Sequence, residues 1–565
     1  MDNNQNTNLL IAIVLSVCII GFWHYFVERP KLAAQTSQHK QYKKAMKKVK
    51  KYNPAKIKLF SREESLNKDK NKRIHFENEY ISGSINPRGL KIDDLVFKKY
   101  RQTTDPNSEN VKLLSPQESY SAYFTEFGWY SKDTRLTLPG RDTIWNCNAD
   151  SIGVNKTVSC SWSNSDGLKF VTNISLDDKY MFDVNAKVAN YGDYTFELQH
   201  YGIIYKIYEF NQKRMSIVHE GVSGVFDEEL KEFSYKEIKD KKTISNSFSS
   251  IDWLGITDKY WLVAFVPDNN FNYTSNNKFL IKDSLERYQI DFISEKNIIE
   301  PNSSLEVKHN LFGGAKELDI LDFYEESMGI KLFDRTVDFG WFYIITKPLL
   351  NILHFFYGIF GNFGISIMFV TVLVKLAMFS LANKSYKSMK MMKQLQPKIE
   401  HLKEKYADDK VRFNQEVMNL YKTHNVNPLS GCLPIFVQIP VFFSLYKVLN
   451  VSIDMRHAPF FGWINDLSAP DPSNIFTLFG LLPIDPPSFL HIGAWPLLMC
   501  ATMYLQQRMS PPMSDPVQAQ FMKLMPLIFL FMFNNFPAGL LIYWTWNNIL
   551  SIAQQSYINY SNDKE

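Results

Sequence analysis

The chain has 565 residues, 45% of them hydrophobic and 21% charged, with 63 Lys and Arg against 58 Asp and Glu. That length allows several domains, and a net charge of +5 is too mild at this size to argue for nucleic acid as a partner. The apolar residues are unevenly spread: one run near the N-terminus, a long polar stretch, then several runs after Phe339. This is the distribution of a membrane protein with a large water-soluble insert.

Leu9–Val27 is apolar apart from His24. It is too long for a typical signal-peptide core and lacks a convincing cleavage site after it, so residues 1–30 are expected to form an uncleaved anchor. Lys31–Lys58 holds ten lysines and no acid. Residues 31–72 are expected to be a basic linker, either plainly solvated or in contact with anionic headgroups.

From residue 73 to 325 short alternating runs are separated by Gly, Asn, Asp and Pro. Lys169–Leu176, Tyr180–Val188 and Tyr194–Phe210 read as strands, with turns at Asn86–Gly89, Ser165–Gly167 and Tyr191–Asp193. The pattern predicts an antiparallel β-sandwich. It contains no GxSxG, HExxH or nucleotide loop, so no catalytic residue is assigned. Cys147 and Cys160 lie on what read as two strands of one hairpin. A disulfide is open to them if the insert is extracytoplasmic, although spacing alone does not fix the geometry. No zinc-type spacing is present, and no metal or cofactor is expected.

Leu318–Met328 reads as helix. Residues 326–360 are expected to form interfacial helices, because Trp341, Phe342, Tyr343, Lys347, His354 and Tyr357 mix aromatics with scattered charge. Ile365–Ala382 follows, apolar except for Lys375. A lysine inside a span costs about 3 kcal/mol on insertion scales and by default marks a functional site. Thr371 lies one turn before it on the same face, with Ser366 earlier. The bland alternative is a lysine that snorkels to the headgroups.

Residues 383–427 read as a polar helical hairpin. Met389, Met392, Leu395, Ile399, Leu402 and Tyr406 form a stripe of a/d type, Pro397 is expected to kink the first helix, and Asp409 to cap the second. The five expected spans are about 364–382, 431–450, 491–507, 517–534 and 537–557. The hairpin carries ten Lys and Arg against five acids, whereas Val451–Leu490 carries four Asp against Arg456. Positive-inside places the hairpin and both termini in the cytoplasm, and residues 31–360 outside. The lysines after the first run argue locally the other way, but long domains translocate largely regardless of charge.

Several stretches resemble the YidC membrane-protein insertase family. They are Gly361–Ser366, Leu395–Ile399, Val426–Leu429, Gly431–Cys432, Gln438–Pro440, Phe536–Leu540 and Val337–Trp341. The resemblance is dense over 337–557, and its motifs are specific in their joint order. It implies a six-span α-helical inner-membrane protein of a Gram-negative bacterium, with an all-β periplasmic domain of β-supersandwich type. It also implies an insertase core at 361–560 whose groove holds one basic residue. The matching position is Lys375, where familiar members have arginine. Thr371, Ser366 and Gln438 would hold water there, and Ile439, Pro440, Tyr543 and Trp544 would contact clients. Familiar members have tyrosine at the position of Trp544. The stretch 479–487 is longer than in the family, and no long basic tail follows Tyr557.

The implied partners are nascent membrane proteins, the lipid bilayer, the Sec translocon, and the ribosome through the cytoplasmic loops. The implied activity is membrane insertion without enzymatic chemistry. A solute transporter or channel with an intramembrane lysine is the alternative. An intramembrane Ser380/Lys384 pair is a weaker one.

Overall fold

The computed structural model describes residues 59–68, 73–154, 156–208, 218–282, 285–407, 409–424, 426, 433–478, 482, 492–509 and 516–562. The expected anchor at 1–30, the basic stretch 31–58, the motifs at 427–432 and most of the long loop 479–491 lie outside them. The chain divides into two compact units at Asp338/Phe339.

The first unit is built on two sheets, antiparallel except at one edge, where Ser151–Ile152 runs parallel to Ile74–Glu77. One has eleven described strands and runs, edge to edge, from Thr243–Phe248 through Leu285–Ser294, Phe196–Ile207 and Lys91–Arg101 to Ser151–Ile152. The other has nine and runs from Glu229–Ser234 through Ile251–Thr257, Ser304–Ala315 and Met181–Asn190 to Asn146–Cys147. Period-2 patterning decides which faces meet. In Leu168–Leu176 the buried residues are Leu168, Phe170, Thr172, Ile174 and Leu176, with their neighbours turned outward. Aromatic rings fill the space between the sheets. Phe76 meets Phe182 edge-on at 5.0 Å, and Phe265 meets Phe292 at 5.3 Å.

Two histidines are buried in this core. His200 and His309 are 0% and 2% exposed, with ring centroids 5.0 Å apart. Phe127, Trp129, Phe265 and Phe292 surround them. All four ring nitrogens are buried without a hydrogen-bond partner. Burial therefore holds both imidazoles neutral. His200 is pushed down to about 3, and His309 falls well below its ordinary value through burial and the neighbouring His200.

Both ends of this unit extend beyond the expected 73–325. At the N-terminal side, Arg62–Asn67 is a helix closed by a capping box, with Ser61 Oγ accepting from the Glu64 amide and Glu64 Oε2 from the Ser61 amide. Leu59 is buried, and Arg62 pairs with Asp94 and donates to the Leu114 carbonyl. Residues 59–68 therefore belong to the sandwich, not to a linker. The S-x-x-E signature was the available signal. At the C-terminal side, helix Leu318–Met328 ends at Gly329, φ 70°. The chain then stays fastened: Trp253 Nε1 donates to the Lys331 carbonyl (3.1 Å) and the His219 amide to Asp338 Oδ2 (3.0 Å). The buried Lys316 Nζ donates to the Thr336 carbonyl (3.0 Å) and to Thr257 Oγ1 (3.1 Å).

Strands Asn146–Cys147 and Val158–Ser163 set Cys147 directly opposite Cys160, and the two sulfurs are bonded. The bond closes a 13-residue separation, for which chain entropy gives a stabilisation of up to about 3 kcal/mol. Reduction is expected to lower the unfolding midpoint of this edge. Non-reducing peptide mapping of the native protein checks the linkage, and two alkylatable thiols there would contradict it.

The second unit is helical. Its helices are α1 (Tyr343–Phe360), α2 (Phe363–Ala377), α3 (Phe379–Lys405), α4 (Lys410–Thr423), α5 (Leu433–Val451), α6 (Ala494–Met509), α7 (Pro516–Phe533) and α8 (Ala538–Asn562). α3 and α4 form the hairpin, its contact made by Leu395, Ile399 and Val426 with Met392, Phe413, Val417 and Leu420. Asp409 caps α4 by accepting from the Arg412 amide (3.0 Å). α3 runs through Pro397 as one helix.

Among the described residues, Gly340–Phe360, expected to be interfacial, is the one helix long and apolar enough to cross a membrane by itself. α2 and α3 meet the same measure only as a pair, bent by 68°. Ala519–Phe533 of α7 is apolar but shorter. The expected straight span 364–382 is thus replaced by a helix that ends at Ala377 and turns at Met378, φ −91°, ψ 3°. Beyond the turn, Gln554 of α8 donates to Asn383 Oδ1 at 3.2 Å.

Candidate functional site

α2 begins at a fixed point. Asn362 caps it, accepting from the Ile365 amide (3.1 Å) and donating to the Pro459 carbonyl (3.3 Å). Gly364 lies against Phe460, where an added Cβ would fall 2.1 Å from the ring. Gly539, at the start of α8, is as tightly placed against Leu449, at 2.6 Å. These two motif glycines are therefore requirements of close helix and loop approach. Trp546 Nε1 donates to the Met368 carbonyl (3.1 Å) and ties α8 alongside α2.

Lys375 sits one turn before the bend. Its Nζ donates to Ser551 Oγ of α8 at 2.8 Å. Among the described residues no carboxylate lies within ion-pair distance of it. Beside it opens a cavity of about 390 Å³ lined by Val372, Lys375, Leu376, Phe379, Leu550, Gln554 and Tyr557. One cation and one amide thus face an otherwise largely apolar wall. Such a site attracts an anion or a polar chain while presenting apolar surface beside it.

The other expected residues divide into four groups. Ser366 and Thr371 are buried, and each spends its hydroxyl on its own helix, donating to the Asn362 and Ile367 carbonyls (3.0 and 2.6 Å). Thr371 borders a separate void of about 10 Å³ with Val441, Leu445 and Tyr543, so it does not line the cavity beside Lys375. Gln438 of α5 donates to the buried Tyr543 hydroxyl, which joins α5 to α8. Trp544 points elsewhere, into an aromatic cluster with Phe442 (4.9 Å) and Phe533 (4.9 Å). Its ring is half-buried in that cluster. Ile439 is exposed on α5 and Pro440 half-buried beside it. Lys375 is therefore brought together with Ser551 and Gln554, and Tyr543 with Gln438 and, across the small void, with Thr371. Ser366, Ile439, Pro440 and Trp544 join neither set.

Ser551 and Gln554 were not among the expected site residues. The signal was present in the spacing of Asn547, Asn548, Ser551, Gln554 and Gln555, a polar stripe at helical period in a segment read as a span. The stripe has two sides. Asn548 donates to Thr502 Oγ1 (3.2 Å) and Gln555 to the Met509 carbonyl (3.1 Å), which glue α8 to α6. Ser551 and Gln554 face α2 and α3 instead.

Residues 73–352 match the family model described as the YidC periplasmic domain, and residues 355–565 the one described as the 60Kd inner membrane protein. A membrane protein insertase YidC of Rickettsia massiliae (strain Mtu5) is 53% identical over 99% of both chains. That of Rickettsia prowazekii (strain Madrid E) is 52% identical, again over 99% of both. Among solved structures, an active YidC insertase with its first transmembrane domain resolved is similar over 85% of this chain and 92% of its own. The identity there is 16% and the TM-score 0.35.

Proposed function

The chain belongs to the YidC family of inner-membrane protein insertases, and from that premise we propose that client segments enter through the cavity beside Lys375. Its clients are nascent membrane proteins, and it performs no enzymatic chemistry. The family replaces the transporter alternative raised from the sequence.

The observation that carries the proposal is a lysine ammonium held beside an open cavity by the neutral hydroxyl of Ser551. A charge without a counter-ion in a poorly solvated place exerts a long-range pull on an opposite charge. The acidic or polar part of an arriving segment lowers its own cost of leaving water by approaching Lys375. The apolar part then slides along Leu376, Phe379, Leu550 and Tyr557 toward lipid. Burial of that helix supplies the free energy, at about 25 cal/mol per Å² of apolar surface, so the step requires no nucleotide.

The finer topology belongs to the same proposal. Six spans follow from the apolar runs and the family, and cytoplasmic termini with a periplasmic segment 31–360 from the Lys and Arg asymmetry. The basic hairpin α3–α4 faces the cytoplasm and is a contact for the ribosome, and the Sec translocon is a partner for clients with several spans.

A photocrosslinker at Phe379 or Gln554 is expected to capture a stalled nascent client carrying an acidic segment. One at Val411, exposed on α4, serves as the control. Equal capture from all three positions would remove the cavity from the path.

A further inference from the structure

We propose that Ser551 is a positioning residue for Lys375, and that it sets how strongly the insertase distinguishes acidic from neutral client segments. The inference rests on the reading of Lys375 given above. A lysine stem is flexible, and one this close to the end of α2 is free to extend along the helix toward the headgroups. Ser551 prevents that. It is 2% exposed and fixed on α8, and its hydroxyl donates to the Asn547 carbonyl at 2.8 Å. With its proton spent, the oxygen has only acceptor capacity left to offer. It accepts from Lys375 Nζ at 2.8 Å.

The chemistry of this partner matters as much as its place. A carboxylate at position 551 would orient the lysine and also cancel its charge. A hydroxyl orients it and leaves the charge whole. One of the three ammonium N–H groups is used, and two remain to meet a client carboxylate. Gln554, on the same face of α8 and on the cavity wall, adds an amide that suits a client main chain without neutralising anything. Asn383 holds that amide through a hydrogen bond of 3.2 Å.

The test uses the full-length protein in liposomes and two clients that differ by one Asp or Asn in the translocated segment. The readout is the ratio of their protease-protected fractions at early times. In Ser551→Ala the Asp/Asn ratio is expected to fall about threefold, less than in Lys375→Ala, because the charge is kept and only its position is lost. Ser551→Thr keeps the hydroxyl and should keep the ratio. Ser551→Asp should lower it as Lys375→Ala does. A merely structural role would depress both clients together and leave the ratio intact, and that result would overturn the proposal. So would a Thr variant that behaves like Ala. If Lys375→Ala collapses the ratio and Ser551→Ala does not, the Ser551 assignment alone fails. If Lys375→Ala leaves the ratio unchanged, the reading beneath it fails.

Discussion

Lys375→Ala is expected to slow insertion of a client with an acidic translocated segment about tenfold or more, and to leave a client with a neutral segment within about twofold. Two unit charges 4 Å apart at an effective dielectric of about 20 attract by about 4 kcal/mol. Desolvation and chain ordering take back much of that, and a net of about 1.4 kcal/mol is tenfold. Lys375→Arg should retain the activity, because attraction needs the charge more than its shape. Ser551, the partner here, accepts equally well from a guanidinium. The comparison is made by complementation of a strain depleted of its own insertase, with the accumulation of each client in the membrane measured. Arginine failing where lysine works would mean that the geometry of the ammonium, and not its charge, carries the role.

Acid is expected to weaken the β unit far more than it weakens a variant lacking its two buried histidines. His200 and His309 are neutral when folded and carry folded pKa values below the ordinary 6.5. The unfolded chain therefore binds more protons. Their contribution is complete above about pH 6.5 and is lost as pH falls from there toward the folded values. The loss is about 1.4 kcal/mol per pH unit for each imidazole. Two of them cost about 4 kcal/mol between pH 6.5 and pH 5, a large share of the stability of a domain. Urea unfolding of the full-length protein, followed by tryptophan fluorescence, reports on this core because Trp129 packs on His200 at 5.1 Å. His200→Leu/His309→Leu should show the smaller shift of midpoint between pH 7.5 and pH 5. Equal shifts in both proteins would place the acid sensitivity elsewhere.

The β-sandwich was legible because period-2 burial is a local signal. The run Lys169–Leu176 is the strand Leu168–Leu176 to within one residue, and the turn signals fall where strands end. The hairpin stripe was legible for the same reason, since Leu395 and Ile399 repeat at helical spacing. The boundaries were not. Leu59 and Phe333 are buried by partners distant in sequence, and Lys316 reaches Thr336 across a gap no local pattern announces. The bend at Met378 was hidden too. Neither glycine nor proline stands there, and the amide pair just beyond it joins Asn383 to a residue 171 positions away.

The site was half legible. A single lysine in an apolar run announces itself by its cost. Its neighbours do not, because which polar residues of another helix face it depends on how α8 is rotated against α2. Thr371 was chosen for sharing a face with Lys375, yet it packs toward Tyr543. Ser551 was overlooked, although its stripe was countable, because polar residues in a span more often join helices together. Asn548 and Gln555 do that here.

The central claim is that this chain by itself moves a polar segment across a bilayer past Lys375. The most direct measurement is made with the purified protein in liposomes and a small client with one or two spans and an acidic tail. Protease protection of the tail is compared with protein-free liposomes and with liposomes holding Lys375→Ala. Protection that needs the protein and is lost in the variant is the result expected. Protection equal to that of empty liposomes, with the protein shown to be folded, would contradict it.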